Sequence, residues 1–154
     1  MNASSLKEEN ALTITRVVNA PRDLVFKVWT TQEHLSRWWG PKDFTVAAMT
    51  TDFRKGGAWR CCVRAPEGQD YWAHGIYREI EQPNRIVFSF AWEEEGAIDT
   101  LITVTFEDVS GGTALTFHQT PFTSVESRDS HAEGWSECID RLADYVAARK
   151  EEVQ

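Results

Sequence analysis

The chain has 154 residues, 42% hydrophobic and 26% charged, with a formal net charge of −8. That length suits one domain with a real core. The acidity excludes a nucleic-acid surface, which needs clustered Lys and Arg, whereas Lys7, Lys27, Lys42, Lys55 and Lys150 are scattered. No run approaches the roughly 18 to 20 apolar residues of a membrane helix, the polar start "MNASSLKEEN" lacks a signal-peptide core, and three cysteines, two of them adjacent, make no disulfide framework. A cytoplasmic protein without membrane insertion is expected.

Residues 1–10 read as a flexible tail, and residues 11–150 as one domain. "ALTITRVV" alternates Leu12 and Ile14 against Thr13 and Thr15, the period of a strand. "APRDLVFKVWT" then places Leu24, Val25, Val28 and Trp29 on one helical face, with Pro21 at the first helical position. Thr30 and Glu33 offer a capping box for a second short helix, whose Leu35, Trp38 and Trp39 follow i, i+3, i+4 spacing before Gly40-Pro41 stops it. From Asp43 to Thr120 six strands follow, punctuated by "RKGG", "PEGQ", "EQPN", "EEEGA" and "VSGGT". A long amphipathic helix closes the chain, with Trp135, Cys138, Ile139, Leu142, Tyr145 and Val146 on one stripe and Thr123 with Glu126 as its capping box.

A strand, two short helices, six meandering strands and one long helix make an α+β protein. The long helix is the element able to cover the apolar face of a curved antiparallel sheet of about seven strands. Seven tryptophans are many for this length, and fully burying such a ring is worth about 2 to 3 kcal/mol. Strand parity directs Trp59, Cys61, Phe88, Phe90, Trp92, Phe117 and Gln119 inward, and the same reasoning applied to "DYWAHGIY" directs Trp72 and His74 inward. With Trp39, Trp135 and Cys138 these residues form the candidate lining of an apolar ligand cavity. His74 is the candidate acid or base, since histidine titrates near neutrality. Arg16 is expected to pair with a carboxylate such as Asp52 or Glu79. His131, one turn before Trp135, is placed near the cavity mouth or the helix start in a structural role. One indole of the Trp38-Trp39 pair is expected to wedge into the core while the other sits toward the helix edge as a cavity wall. No CxxC, HExxH, GxSxG or phosphate loop occurs, so neither metal nor cofactor is expected.

Several motifs, in order, carry a family resemblance. Ala20-Pro21 with Val25, Phe26 and Trp29-Thr30, then Arg37-Trp38-Trp39-Gly40-Pro41, then residues 52–57 "DFRKGG", then residues 75–80 "GIYREI" with Pro83 and Arg85, and finally His131 with Gly134-Trp135 resemble the START-related helix-grip (SRPBCC) superfamily. Within it they are similar to the branch named for the activator of the heat-shock ninety chaperone's ATPase. The resemblance implies a helix-grip fold with a cavity between sheet and closing helix. It implies a small hydrophobic or amphipathic molecule as partner; the alternatives are a cyclase- or hydrolase-type enzyme using His74 and a chaperone-linked interaction module. A monomer or a homodimer paired through an edge strand fits the pattern equally.

Overall fold

In a computed structural model, residues 10–149 are described. Most of the tail expected over residues 1–10 lies outside them, as does Lys150 at the expected domain end. The elements follow the order β1 (Leu12–Val18), α1 (Arg22–Thr30), α2 (Gln32–Trp38), β2 (Thr45–Thr51), β3 (Ala58–Arg64), β4 (Asp70–Glu81), β5 (Arg85–Trp92), β6 (Thr100–Val109), β7 (Gly112–Thr120) and α3 (Val125–Arg149). The strands form one antiparallel sheet in the order β1-β7-β6-β5-β4-β3-β2. From β1 the chain passes through α1 and α2 to β2 and meanders back until β7 pairs with β1, so the sheet curves around α3 with β1 and β2 as its edges. This is the α+β helix-grip arrangement. No helix among the described residues is long and apolar enough to cross a membrane.

The period-2 pattern accounts for most faces. Ile102, Val104 and Phe106 of β6, and Leu115, Phe117 and Gln119 of β7, are buried in alternation along their strands. α3 buries Trp135, Cys138, Ile139, Leu142 and Val146, one stripe of its surface, against the concave side. Polar contacts help to fix it along its second half. Arg16 of β1 pairs with Asp140, Tyr145 meets Nδ1 of His34 at 2.6 Å, and Nη1 of Arg141 donates to the carbonyls of Gly40 and Pro41, each at 2.9 Å. Arg16 therefore does not pair with Asp52 or Glu79. Those carboxylates bind Arg54 and Arg85, close to them in the chain.

The expected caps shift by a residue. Thr30 ends α1, its hydroxyl donating to the Phe26 carbonyl at 2.9 Å, and Thr31 stands before α2 without a side-chain cap. At α3 the cap is Ser124, whose Oγ accepts the Ser127 N–H at 3.0 Å. Pro21 sits one position ahead of α1 rather than inside it. Both tryptophans of the pair are buried, Trp38 donating to the Val28 carbonyl at 2.9 Å. Gly40 then turns the chain at φ +104°, a conformation that costs other residues their Cβ clearance.

One strand lies the other way round from the sequence reading. In β4 it is Tyr71, Ala73, Gly75 and Tyr77 that face the core, and Trp72, His74 and Ile76 that face out. Residues directly opposite in an antiparallel pair share a face. Trp59 pairs with Gly75, Cys61 with Ala73 and Val63 with Tyr71, so the inward set of β3 selects the inward set of β4. Size enforces the choice, because the Trp59 indole crosses over Gly75 to donate to the Ser89 carbonyl at 3.1 Å. Trp72 instead carries the Arg60 guanidinium 4.0 Å above its ring on the outer surface.

Candidate functional site

Between α3 and the β3–β5 part of the sheet lies a cleft of about 300 Å³. Its floor is Val63, Tyr71, Phe90 and Trp92 from three neighbouring strands. One wall is a stretch of α3, with Ser130, His131, Gly134, Trp135 and Cys138; the other is Trp39-Gly40-Pro41, where α2 turns into the sheet; Glu94 stands at the end of β5. Phe90, Trp92 and His131 also border a smaller pocket of about 120 Å³ beneath residues 96–98, together with Gln119 and Phe122.

The aromatic walls are locked to one another. Trp39 meets Trp135 edge-to-face at 5.2 Å, Phe90 meets Trp92 at 5.1 Å, and Trp135 rests on Phe117 at 4.5 Å. Such pairs add about 0.5 to 1.5 kcal/mol beyond their buried area. Their polar edges are satisfied inside the protein. Trp135 Nε1 donates to Gln119 Oε1 at 2.8 Å, Gln119 Nε2 to Thr100 Oγ1 at 2.8 Å, and Thr100 Oγ1 to the Phe90 carbonyl at 2.8 Å. Trp92 Nε1 donates to His131 Nε2 at 3.0 Å, while His131 Nδ1 donates to the Ser127 carbonyl at 2.7 Å. A carbonyl can only accept, so this geometry fixes the imidazole with its proton on Nδ1 and engages both ring nitrogens.

The sulfurs are equally enclosed. Burial pushes the Cys61 thiol up to about 12, against a hydrogen bond from the Trp39 side chain. Burial pushes Cys138 up to about 12 as well, and its Sγ accepts the Gly40 N–H at 3.3 Å. At neutral pH both are therefore thiols, packing groups rather than nucleophiles.

Of the residues that sequence reasoning collected, Trp39, Phe90, Trp92, Trp135 and Cys138 come together around the cleft, and Gln119 lies in the adjoining pocket. Trp59 and Phe88 lie deeper, beside Trp39 and Tyr77. Cys61 and Phe117 support the walls from behind. Trp72 and His74 are corrections, since the β3–β4 register turns both to the opposite face of the sheet. There His74 Nδ1 lies 3.1 Å from Glu93 Oε2 and its side chain is 52% exposed, so it cannot act as acid or base within the cleft. Glu93 also receives Arg60 twice at 2.8 Å, and the hydrogen bonds of Arg60 and His74 hold its carboxyl down at about 2. The residues missed are Val63, Tyr71, Gly40, Pro41, Glu94, Ser130 and Gly134. Val63 was legible from the parity it shares with Trp59 and Cys61, and Tyr71 as the alternative parity of β4. The others reach the cleft through loops and one helix face that period-2 reasoning does not address.

Comparison with curated proteins gives no match. Among solved structures, a Chromobacterium violaceum protein superposes with a TM-score of 0.84 at 26% identity, over 89% of this chain and 96% of that one. An AHSA1 protein from Silicibacter pomeroyi gives 0.81 at 22% identity, over 90% and 99%, and an AHSA1-like protein from Aeromonas hydrophila gives 0.74 at 21%, over 90% and 92%. The latter two identities speak for the fold alone. Residues 19–147 match the family described as Activator of Hsp90 ATPase homolog 1-like protein, a span running from just after β1 nearly to the end of α3, and the chain belongs to that family.

Proposed function

We propose that the protein binds a small hydrophobic or amphipathic molecule in the cleft between α3 and strands β3–β5. The observation that carries the reading is the cleft itself, about 300 Å³ with Trp39, Tyr71, Phe90, Trp92 and Trp135 around it. Pockets of that size and composition suit small organic ligands. The internal hydrogen bonds of Trp92 and Trp135 support a preformed site, which needs little ordering when a ligand arrives. Engagement of both nitrogens of His131 favours binding over turnover. The three cysteines are free and buried, in keeping with a reducing cytoplasmic compartment.

Native mass spectrometry of the purified protein, followed by tryptophan-fluorescence titration with a small-molecule panel, tests the reading. Binding should change indole emission and be lost in Trp92→Ala, while Trp72→Ala on the outer face keeps it. A protein that stays ligand-free and silent across a broad panel would refute the proposal.

A further inference from the structure

Charge is unevenly placed around the cleft. Three consecutive glutamates follow β5, and they do not behave alike. Glu93 turns outward into Arg60 and His74. Glu94, an exposed residue, lines both the cleft and the adjoining pocket, and among the described residues its carboxylate meets no cation and no hydrogen-bond donor. No Lys or Arg lines either space. Arg141, behind the loop wall, has its Nη1 on the carbonyls of Trp39, Gly40 and Pro41.

The indoles point the same way. Every indole that lines the cleft directs its N–H into the protein: Trp92 to His131, Trp135 to Gln119 and Trp39 to Cys61. An anionic headgroup therefore finds no indole donor there. What the rings offer instead is π-surface, whose quadrupole attracts cations. A lone carboxylate beside such surfaces is the pairing that selects an ammonium group. The chain's net charge of −8 acts in the same sense at longer range.

Resting on the binding reading above, we propose that the ligand is an organic cation, an ammonium group on an apolar tail, with the tail among Phe90, Trp135 and Tyr71 and the ammonium between Glu94 and the Trp92 ring. The volume, at the small end for ligand pockets, calls for a short tail.

The test uses octylammonium, octanol and octanoate, which share a chain and differ in charge, titrated into the full-length protein at neutral pH and low ionic strength and read by tryptophan fluorescence. Octylammonium should bind roughly tenfold more tightly than octanoate, in keeping with a cation–π contact plus an exposed carboxylate. Glu94→Gln should reduce that preference to about threefold or less, while Glu95→Gln, an equally exposed neighbour that does not line the cleft, should leave it. Unchanged urea midpoints in both variants would confirm that each is folded. Equal binding of the three probes, or tighter binding of octanoate, overturns the charge assignment and leaves the binding reading standing. A preference that survives Glu94→Gln, or that falls equally in Glu95→Gln, assigns it to the general acidic field and also overturns the proposal. Silence towards all three probes, with no response to the wider panel, defeats both readings together.

Discussion

Gly75→Ala is the sharpest test of how the sheet is packed. A Cβ at this position would stand 1.8 Å from the Ser89 carbonyl oxygen, 2.6 Å from the Ser89 carbonyl carbon and 2.5 Å from Trp59 Nε1. Two of those atoms are backbone of the adjacent strand, so relief requires β4 and β5 to part or the indole to swing away. Overpacking of this kind costs about 1 to 3 kcal/mol. Displacing the indole also breaks its 3.1 Å bond to Ser89 and leaves a buried donor unsatisfied, a further cost of about 1 to 3 kcal/mol. The expected loss is about 3 kcal/mol, a large share of the roughly 5 to 15 kcal/mol that holds a domain folded. At roughly 2 to 4 °C per kcal/mol for a chain of this size, the melting temperature should fall by about 6 to 12 °C. Urea unfolding followed by tryptophan fluorescence, with a thermal scan beside it, makes the measurement. Gly134→Ala is the internal control. Its Cβ would meet nothing closer than Pro41 Cγ at 3.7 Å, so the gain in helix propensity should stabilise α3 by about 0.5 to 1 kcal/mol. If Gly75→Ala unfolds within about 0.5 kcal/mol of the unsubstituted protein, a range typical of surface changes, the packing account of β4 is wrong.

Two further outcomes follow from the polar groups. Gln119→Leu keeps the bulk but removes the acceptor of Trp135 Nε1 and the donor to Thr100. It should cost about 1 to 3 kcal/mol in urea unfolding, since one buried indole N–H is then orphaned; a neutral effect would show that the Trp135 ring readily finds another partner. Glu93 has a folded-state carboxyl held at about 2 against 4.5 for the free group. The unfolded chain therefore binds more protons between those values, and the stabilisation is complete above about pH 4.5 and lost as pH falls toward 2. Glu93→Gln should flatten that acid limb in urea midpoints measured at low salt, where screening of this exposed cluster is least; an unchanged limb would mean that Arg60 and His74 do not hold the carboxylate in solution.

The element order was legible in the residues alone, because β6 and β7 carry their apolar side chains mainly on one parity, β5 is apolar along its length with its aromatic rings on one parity, and α3 carries its apolar residues on one stripe. Ile102, Val104, Phe106, Leu115, Phe117, Phe88 and Phe90 are placed by that pattern with no knowledge of their neighbours, since the opposite parity in β6 and β7 is largely polar. β4 offered no such asymmetry. Tyr71, Ala73 and Tyr77 on one side compete with Trp72 and Ile76 on the other, and a one-residue slip exchanges the two faces. The pairing of Trp59 with Gly75 resolved it, a long-range contact that no local period encodes, and with it His74 left the cavity for the outer surface.

The candidate site divides along the same line. Phe90, Trp92, Trp135 and Cys138 could be nominated as inward residues from their periods. That Gly40-Pro41, a stretch of α3 and the carboxylate of Glu94 enclose one cleft with them depends on how the helix lies across the sheet. The sequence by itself determined which surfaces must be buried, because hydrophobic burial is roughly proportional to apolar area and indifferent to partner. Tertiary structure alone decided which surfaces meet, where they leave space, and which charge stands at that space, because side-chain size and strand register act only between segments far apart in the chain.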